Sequence, residues 1–449
     1  MALFRFNLHH GEQHLTKQNV DEKRYKWGKL LIFACFFLYT SSMAAKGVFA
    51  AEQKYIVDLW NLEYSEASMA NTFYFVAYGL VQVVLFFLMS KINLNKYILV
   101  TVPFAAITTV LIGFATNIQQ IWIYFGLSGL FQAAIYCGCM QVLTKYLPTK
   151  LLTNANRLMN VGYAVGTVVA YLMCALCVGY DLWQLPYYII GTIFMSSVIV
   201  FGIVVAKTKR FEHINEILDK SVVNATKGKI VLVDENDPLF TVKTKKRLII
   251  FYVIDLLFAF LITALFYCIM NYITSLLVDV HHLSQDISIY VSILAPITIA
   301  IGPMLTIYTC DRHKDFIKQG IIYSLIILPI PALLALFYQV NLFLALGLSI
   351  VFIVIANGIK AIVLSIMSFR MRKFINAGAY SAISNAVASI SAGVTPTIIG
   401  RIIDVSGWAA AYWVTFGLVA VIIVGLVAVD IYVRREYRKT HNLKNSDKI

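Results

Sequence analysis

Three ionisable side chains interrupt long apolar runs of this 449-residue sequence: Lys46, Asp255 and Lys360. A charge at the centre of a bilayer costs about 2.5–3.5 kcal/mol or more, so such residues usually face a bundle interior or a watery cavity. A lysine ammonium binds phosphate or carboxylate as a point charge, and an embedded carboxyl group can take part in proton transfer. These three residues are therefore the first candidates for chemistry.

Depth in the membrane distinguishes the three candidates. Lys46 lies about 25 Å along a helix from the basic N-terminal tail, and Lys360 about 15 Å from Arg370. Lys46 is close enough to the outer interface for snorkelling to be an alternative, whereas Lys360 lies near mid-membrane. Asp255 lies about 12 Å beyond Arg247. A half-buried partner for a base on the cytoplasmic side is the alternative to a role for Asp255 in transport.

The elements that must position these residues are transmembrane helices. The chain is 60% hydrophobic and only 13% charged, about half the charged fraction of an ordinary soluble domain. A span needs roughly 20 mainly apolar residues. Twelve runs meet this requirement, and we number them spans 1–12: 28–51, 67–89, 97–116, 120–146, 155–179, 185–206, 247–277, 286–309, 317–338, 341–369, 377–400 and 408–433.

Basic residues are distributed on one side of the predicted membrane. All but four of the 37 Lys and Arg residues fall in the termini and in the loops after even-numbered spans. Cytoplasmic loops carry the excess of Lys and Arg, so we expect both termini in the cytoplasm and a multi-pass protein of the plasma (inner) membrane. The net charge of +14 reflects this topology, and no nucleic-acid partner is expected. The four exceptions are Lys46, Lys54, Lys360 and Arg401.

One long polar segment divides the spans into two groups of six. The predicted organisation is a cytoplasmic tail (1–27), a six-helix half (28–207), a cytoplasmic linker (208–246), a second half (247–433) and a cytoplasmic tail (434–449). The predicted fold class is an all-α membrane protein with twelve transmembrane helices in two pseudo-symmetric halves. Ser65 and Ser284 open spans 2 and 8 at matching places, where each is a possible helix N-cap.

Several other classes of protein are disfavoured. Seven cysteines, an odd number within or beside apolar segments, argue against a disulfide framework. Cys174-x-x-Cys177 is mid-helix without a second pair or a nearby histidine, which favours helix packing over a metal or redox pair. No Ser/His/Asp set, metal cluster or phosphate loop is present, so we expect neither an enzyme nor a cofactor. We expect a monomer in the lipid bilayer.

Over nearly its whole length the chain resembles the major facilitator superfamily. Within it, the chain is similar to the organophosphate:phosphate antiporter branch, of the glycerol-3-phosphate transporter type. The residues that carry this resemblance are Phe37, Tyr39, Lys46, Phe49, Tyr78-Gly79, Gly129-x-Phe131-Gln132, Cys139, Asn160, Gly166, Trp183, Tyr188, Gly400, Asp404, Gly407 and Trp408. The resemblance implies two halves that rock around a central site, and exchange of a solute against phosphate.

Some positions depart from what the resemblance implies. They are Lys46 and Phe266 in place of two binding arginines, Gln82 for a span-2 lysine, Tyr163 for a span-5 histidine and Ser90 for an aspartate after span 2. The matching loop after span 8 keeps Asp311 and Arg312, which are the predicted gating loop. Because much of the phosphate-binding set is replaced, specificity for one organophosphate does not carry over.

In the superfamily, spans 1, 4, 7 and 10 line the central cavity, and the three embedded charges all lie on these spans. Residues three, four or seven apart share a helix face, which adds polar neighbours to the lysines. The predicted coupling residue is Asp255. The predicted substrate site consists of Lys46, Lys360, Tyr39, Tyr78, Gln82, Gln132, Tyr136, Asn160, Tyr267, Asn271 and Asn357.

Two lysines without two matching embedded acids predict a positive cavity. The leading hypothesis is a secondary active transporter that works by alternating access. It moves a small anionic organic solute, an organophosphate or carboxylate, by exchange or ion-coupled transport. One alternative is a proton-coupled transporter of a sugar or another neutral solute. The other is a nontransporting membrane sensor on the same fold.

Overall fold

A computed structural model describes residues 2–88, 92–147, 149–208, 245–313, 316–367 and 377–446. Helices account for nearly all of them, as lipid requires, because each helix satisfies its own backbone hydrogen bonds. The first half contains the helices Ala2–Trp60, Tyr64–Leu88, Leu94–Ile112, Ile118–Gln132, Ile135–Tyr146, Thr149–Val178 and Leu185–Thr208. Most of the predicted linker lies outside the described residues.

The second half repeats this plan with more broken helices. Its helices are Lys245–Met270, Ile273–Asp279, Gln285–Ser292, Leu294–His313, Phe316–Ile327, Pro329–Phe337, Leu342–Ala361 and Ala377–Ser446, with a π-helical turn at Ile362–Met367. Spans 7, 8 and 9 each consist of two of these helices in succession.

Within the described ranges, eleven helical stretches are long and apolar enough to cross a membrane. The last of them, Ala382–Tyr432, contains a sharp break at Gly407, where φ is 78° and ψ is 177°. This left-handed φ favours glycine, and it separates spans 11 and 12. The structure therefore contains the twelve predicted crossings. Span 1 differs from the prediction, because its helix continues to Trp60 instead of ending near residue 51.

Asparagine side chains start three of the spans. Asn93, Asn117 and Asn341 each accept backbone N–H groups of the first turn of span 3, 4 or 10. The predicted serine caps are absent. Ser284 precedes its helix without a capping hydrogen bond, and Ser65 lies inside a helix that begins at Tyr64.

Close helix contacts make each half compact. A Cβ at Gly129 would overlap the carbonyl of Tyr74, and a Cβ at Gly166 would overlap that of Thr40, so spans 2 and 4 and spans 1 and 5 approach at backbone distance. In the second half, a Cβ at Gly302 would overlap the carbonyl of Val354, which brings spans 8 and 10 together in the same way. Such close small-residue contacts are typical of membrane helix packing.

The two halves meet chiefly along spans 2 and 11. The Thr72 hydroxyl donates to the Gly393 carbonyl at 2.9 Å and lies 2.8 Å from the Thr397 hydroxyl. Farther along the same contact, a Cβ at Gly79 would come within 3.0 Å of the Ala386 carbonyl. The candidate site lies between these halves.

Candidate substrate-binding site

The two embedded lysines converge on one tyrosine. Lys46 Nζ on span 1 donates to the Tyr163 hydroxyl on span 5 at 3.2 Å. The Tyr163 phenol also interacts electrostatically with Lys360 on span 10, and the two ammonium groups interact with each other. The prediction that these lysines share a site is therefore consistent with their placement, with Lys46 from the first half and Lys360 from the second.

Aromatic rings surround both ammonium groups. Lys46 Nζ lies 4.7 Å from the centre of the Phe75 ring, and Lys360 Nζ lies 4.4 Å from that of Phe266 and 5.8 Å from that of Tyr267. Phe75 and Tyr267 contact each other across the halves, with ring centres 5.6 Å apart. Ring faces stabilise cations without neutralising them. Among the described residues, neither lysine forms an ion pair with an acid.

Further tyrosines lie beside these rings in the first half. We call Tyr39, Tyr74, Tyr78 and Tyr136 the tyrosine wall. The rings of Tyr39 and Tyr136 lie 5.3 Å apart, and Tyr78 stacks on Tyr74 at 6.1 Å. Tyr78, Tyr136 and both lysines remain half-buried at mid-span. Because they combine a central position with accessible surface, they are suited to line a cavity.

Two predicted amides each have one polar atom without a hydrogen-bond partner. Gln82 is buried on span 2, and its Oε1 atom makes no hydrogen bond within the described structure. The Nδ2 group of Asn271 on span 7 is in the same situation. Buried polar groups are usually satisfied, so these two are available to a bound molecule.

Two other predicted amides are already engaged. Gln132 Oε1 accepts hydrogen bonds from Ser42 at 3.0 Å and Tyr74 at 3.2 Å, and its Nε2 donates to Ser128 at 2.7 Å. Asn357 Nδ2 donates to the Ile299 carbonyl at 2.7 Å. These bonds hold spans 1, 2 and 4 together and join span 8 to span 10. The side chains of three other predicted residues lie outside the described part of the structure: Asn160, Asp311 and Arg312.

The predicted coupling residue lies apart from the lysines. Asp255 is buried on span 7 and interacts with Tyr252, one turn earlier. It precedes Tyr267 by twelve positions, which is about 18 Å along a helix. The role of Asp255 in coupling therefore stays a prediction, because its carboxylate does not contact either lysine directly.

An ion-pair cluster closes the bundle at one end, which we call the outer end after the predicted topology. Lys54 Nζ lies 2.5 Å from Asp58 of its own helix and 2.7 Å from Asp279 of span 7. The Tyr64 hydroxyl also donates to Asp279. Gln285 of span 8 donates to Asp58 at 2.6 Å. We call these contacts, with those of Asp404 below, the outer gate.

Asp404 completes the outer gate by capping a helix of the other half. Its two carboxylate oxygens accept the backbone N–H groups of Tyr64 and Ser65, each at 2.9 Å. These are first-turn donors of span 2, where a negative charge is favourable. The nearby pair of Arg401 and Glu63, at 2.6 Å, is exposed. The lysine site is thus closed toward the outer end.

Residues 31–396 match the family described as Major Facilitator Superfamily. The chain belongs to this family. It is consequently a multi-pass membrane transporter by family, and not an enzyme. No curated protein matches the chain in sequence.

Solved structures show the same major facilitator fold. The nucleoside transporter NupG has 14% identity and a TM-score of 0.64, with 89% of this chain and 98% of that chain covered. A bacterial homologue of the human lysosomal transporter Spinster, inward-facing and unoccupied, has 14% identity and a TM-score of 0.62, with 92% and 97% covered. At this identity the likeness shows the fold alone, and the organophosphate branch stays a prediction.

Three residues of this major facilitator protein have structural surroundings that the sequence pattern does not reveal. Tyr163 stands out in the sequence only as a replacement for a histidine, yet its hydroxyl accepts from Lys46 and it interacts electrostatically with Lys360. Glu52 lies just beyond the predicted end of span 1, but it belongs to the helix and its side chain is fully buried in the bundle. Asp404 is part of the family resemblance, but its role as a cap needs the three-dimensional contact.

Proposed function

We propose that the protein is a secondary transporter that binds a small organic anion between Lys46 and Lys360 and moves it by alternating access. The observation that carries this proposal is the convergence of both ammonium groups on the Tyr163 phenol, without an acidic partner among the described residues. Phosphate or carboxylate oxygens would supply the missing negative charge.

Lys46 and Lys360 come from different halves, which links solute binding to the movement of the halves. Each half contributes one ammonium group, so the two charges repel when the site is empty and are bridged when an anion binds. A ligand shifts a conformational equilibrium only by its different affinity for the two states. An anion that contacts both lysines binds best when the halves are close around it, which favours passage through an occluded state.

The unpartnered amides indicate what else the solute carries. Gln82 Oε1 accepts hydrogen bonds, and Asn271 Nδ2 donates them. Hydroxyl groups satisfy both kinds of partner. A hydroxylated organic phosphate or carboxylate therefore fits the site better than inorganic phosphate alone.

A neutral hydroxylated solute is the second candidate, because the same amides and the tyrosine wall would serve a sugar or a nucleoside. The nucleoside transporter NupG shares the fold. In this case the lysines would have a structural role, and their removal would leave affinity nearly unchanged.

Thermal stabilisation of the purified protein tests both candidates. A screen would compare glycerol 3-phosphate, hexose phosphates, dicarboxylates, free sugars and nucleosides. We expect stabilisation by an anion, and its loss in both Lys46→Ala and Lys360→Ala. Lys207→Ala is the matched control, since Lys207 is exposed and packs over Trp27 at the far end of span 6. A stabilising solute that both cavity variants bind normally would refute the two-lysine site.

Flux in proteoliposomes separates a transporter from a sensor. The solute found by the screen is expected to exchange across the membrane, as counterflow of labelled solute. Binding without flux would favour the sensor. We further place both termini in the cytoplasm of a plasma-membrane protein, as the basic residues predict, and accessibility of terminal tags in intact cells checks this orientation.

A further inference from the structure

Glu52 is the most completely buried acid of the described chain outside the lysine site. Its side chain has 0% exposure, and neither carboxyl oxygen makes a hydrogen bond within the described structure. It points into the first half, where Cys174 of span 5 and Tyr187 of span 6 lie beside it without meeting hydrogen-bond geometry. A carboxyl group placed in this way has no obvious packing role.

None of the described groups that face Glu52 is basic. They are Cys174 and Cys177 from span 5, Tyr187 from span 6 and Tyr55 from its own helix. The adjacent Lys54 is held by Asp58 and Asp279. A buried carboxylate without a counter-ion is too costly to persist, so the group is neutral here and carries a proton.

Tyr55 is the polar neighbour of Glu52 on the side of the outer surface. Tyr55 lies one helical turn beyond Glu52, interacts with it, and donates from its hydroxyl to Asp181 at 3.2 Å. Asp181 is exposed in the loop between spans 5 and 6. No hydrogen bond joins the Glu52 carboxyl group to Tyr55 in the described closed structure, so proton exchange with the outer surface requires the end of span 1 to move.

The same turn of span 1 carries contacts that close the outer gate. Gln53 donates to Ser68 at 2.8 Å, and the Ser68 hydroxyl lies 2.8 Å from that of Tyr272 in the second half. Lys54 reaches Asp279. Three consecutive residues thus join the buried carboxyl group, span 2 and the opposite half through one rigid helical turn.

We propose that Glu52 is a proton-binding site and that its protonation stabilises the closed outer gate. On deprotonation the carboxyl O–H bond breaks, the proton passes to water that enters as the end of span 1 shifts, and a carboxylate remains. This charge must gain water, which requires the end of span 1 to shift and the contacts of Gln53 and Lys54 to loosen. Protons taken up from outside would then drive closure. The inference goes beyond the proposed solute, and its test needs no solute.

Hydrogen–deuterium exchange of the protein in nanodiscs measures gate opening over a pH series. The informative peptides cover the start of span 2, where Asp404 protects the amides of Tyr64 and Ser65. After correction for intrinsic exchange, we expect faster exchange of the wild type as pH rises. One linked proton changes the opening equilibrium by up to about tenfold per pH unit. Glu52→Gln is expected to stay closed and independent of pH.

Three further variants decide between outcomes. Glu66→Gln removes a half-buried acid at the same end and should behave as the wild type. Glu52→Asp keeps a carboxyl group and should keep the pH dependence with a shifted midpoint, which also guards against a misfolded Glu52→Gln protein. If pH dependence survives in Glu52→Gln, or is absent in the wild type, the proposal is overturned. Loss in Asp255→Asn with retention in Glu52→Gln would assign proton coupling to Asp255 instead.

Discussion

Lys46 and Lys54 lie on the same helix, eight residues or about 12 Å apart, and have opposite surroundings. Lys46 contacts a phenol and aromatic rings. Lys54 is held by two carboxylates, one of them from the opposite half. A cation that already has acids cannot gain much from another anion, whereas one surrounded by neutral rings can. The side chains around a membrane lysine, more than its depth, therefore indicate whether it binds a solute or holds the gate closed.

The largest expected effect tests the binding side of this comparison. Lys360→Ala leaves a bound anion without one buried charge partner, which typically costs 2 kcal/mol or more and corresponds to a loss of affinity of about thirtyfold. Isothermal titration of the stabilising anion measures this loss. Lys54→Ala is the comparison variant, with a much smaller effect. Equal losses in the two variants would remove the distinction drawn between these lysines.

The next effect concerns the ion pair that joins the halves. Asp279→Asn leaves Lys54 with only Asp58, and this partly exposed pair is expected to contribute about 1–2 kcal/mol, between surface and buried pairs. Amide exchange at the start of span 2 should increase accordingly. Asp58→Asn removes the charge of the partner on the same helix and should increase it less. A greater opening in Asp58→Asn would assign the larger share of the closure to Asp58, which also accepts from Gln285 of span 8, instead of to the pair of Lys54 and Asp279.

Removal of the helix cap should have a smaller effect. Asp404→Ala deprives two first-turn amides of span 2 of their acceptor, and caps are worth about 1 kcal/mol. Thermal unfolding and amide exchange both report this loss. Asp404→Asn keeps an acceptor oxygen without the charge, so its effect should fall between those of the wild type and alanine proteins. Identical behaviour of the two variants would show that charge alone matters.

The smallest effect is expected at the exposed rim. Arg401 and Glu63 are 60% and 58% exposed, and such surface pairs contribute about 0–1 kcal/mol. Arg401→Gln should therefore change gate opening and thermal stability little, in the same exchange experiment. If Arg401→Gln opened the gate as widely as Asp279→Asn, the exposed pair of Arg401 and Glu63 would be a main contact that keeps the gate closed.

The sequence predicts the frame of this molecule well. Apolar length and the one-sided basic residues specify the twelve crossings, and helix register together with family resemblance places Lys46 and Lys360 on cavity spans. These signals are local in the sequence, so they can be recognised without a structure. The kink at Gly407 also falls where the sequence separates spans 11 and 12.

The contacts between distant segments could not be predicted in the same way. Gln132 and Asn357 look like binding amides in sequence, but their partners lie on other helices. The sequence does not mark Glu52, because the polar residues that follow residue 51 indicate the end of span 1, although the helix continues to Trp60. Tyr163 carries no charge, so only its position between two lysines marks it.

The cap that Asp404 places on span 2 has a consequence for the speed of the transport cycle. Tyr64, Ser65 and Asp404 lie outside the predicted apolar runs, where water can replace the carboxylate as soon as the halves separate. The two amides then keep hydrogen-bond acceptors in either state, so neither is stranded in lipid. A contact of this kind is easily reversed, as required of a transporter that opens and closes once in each transport cycle.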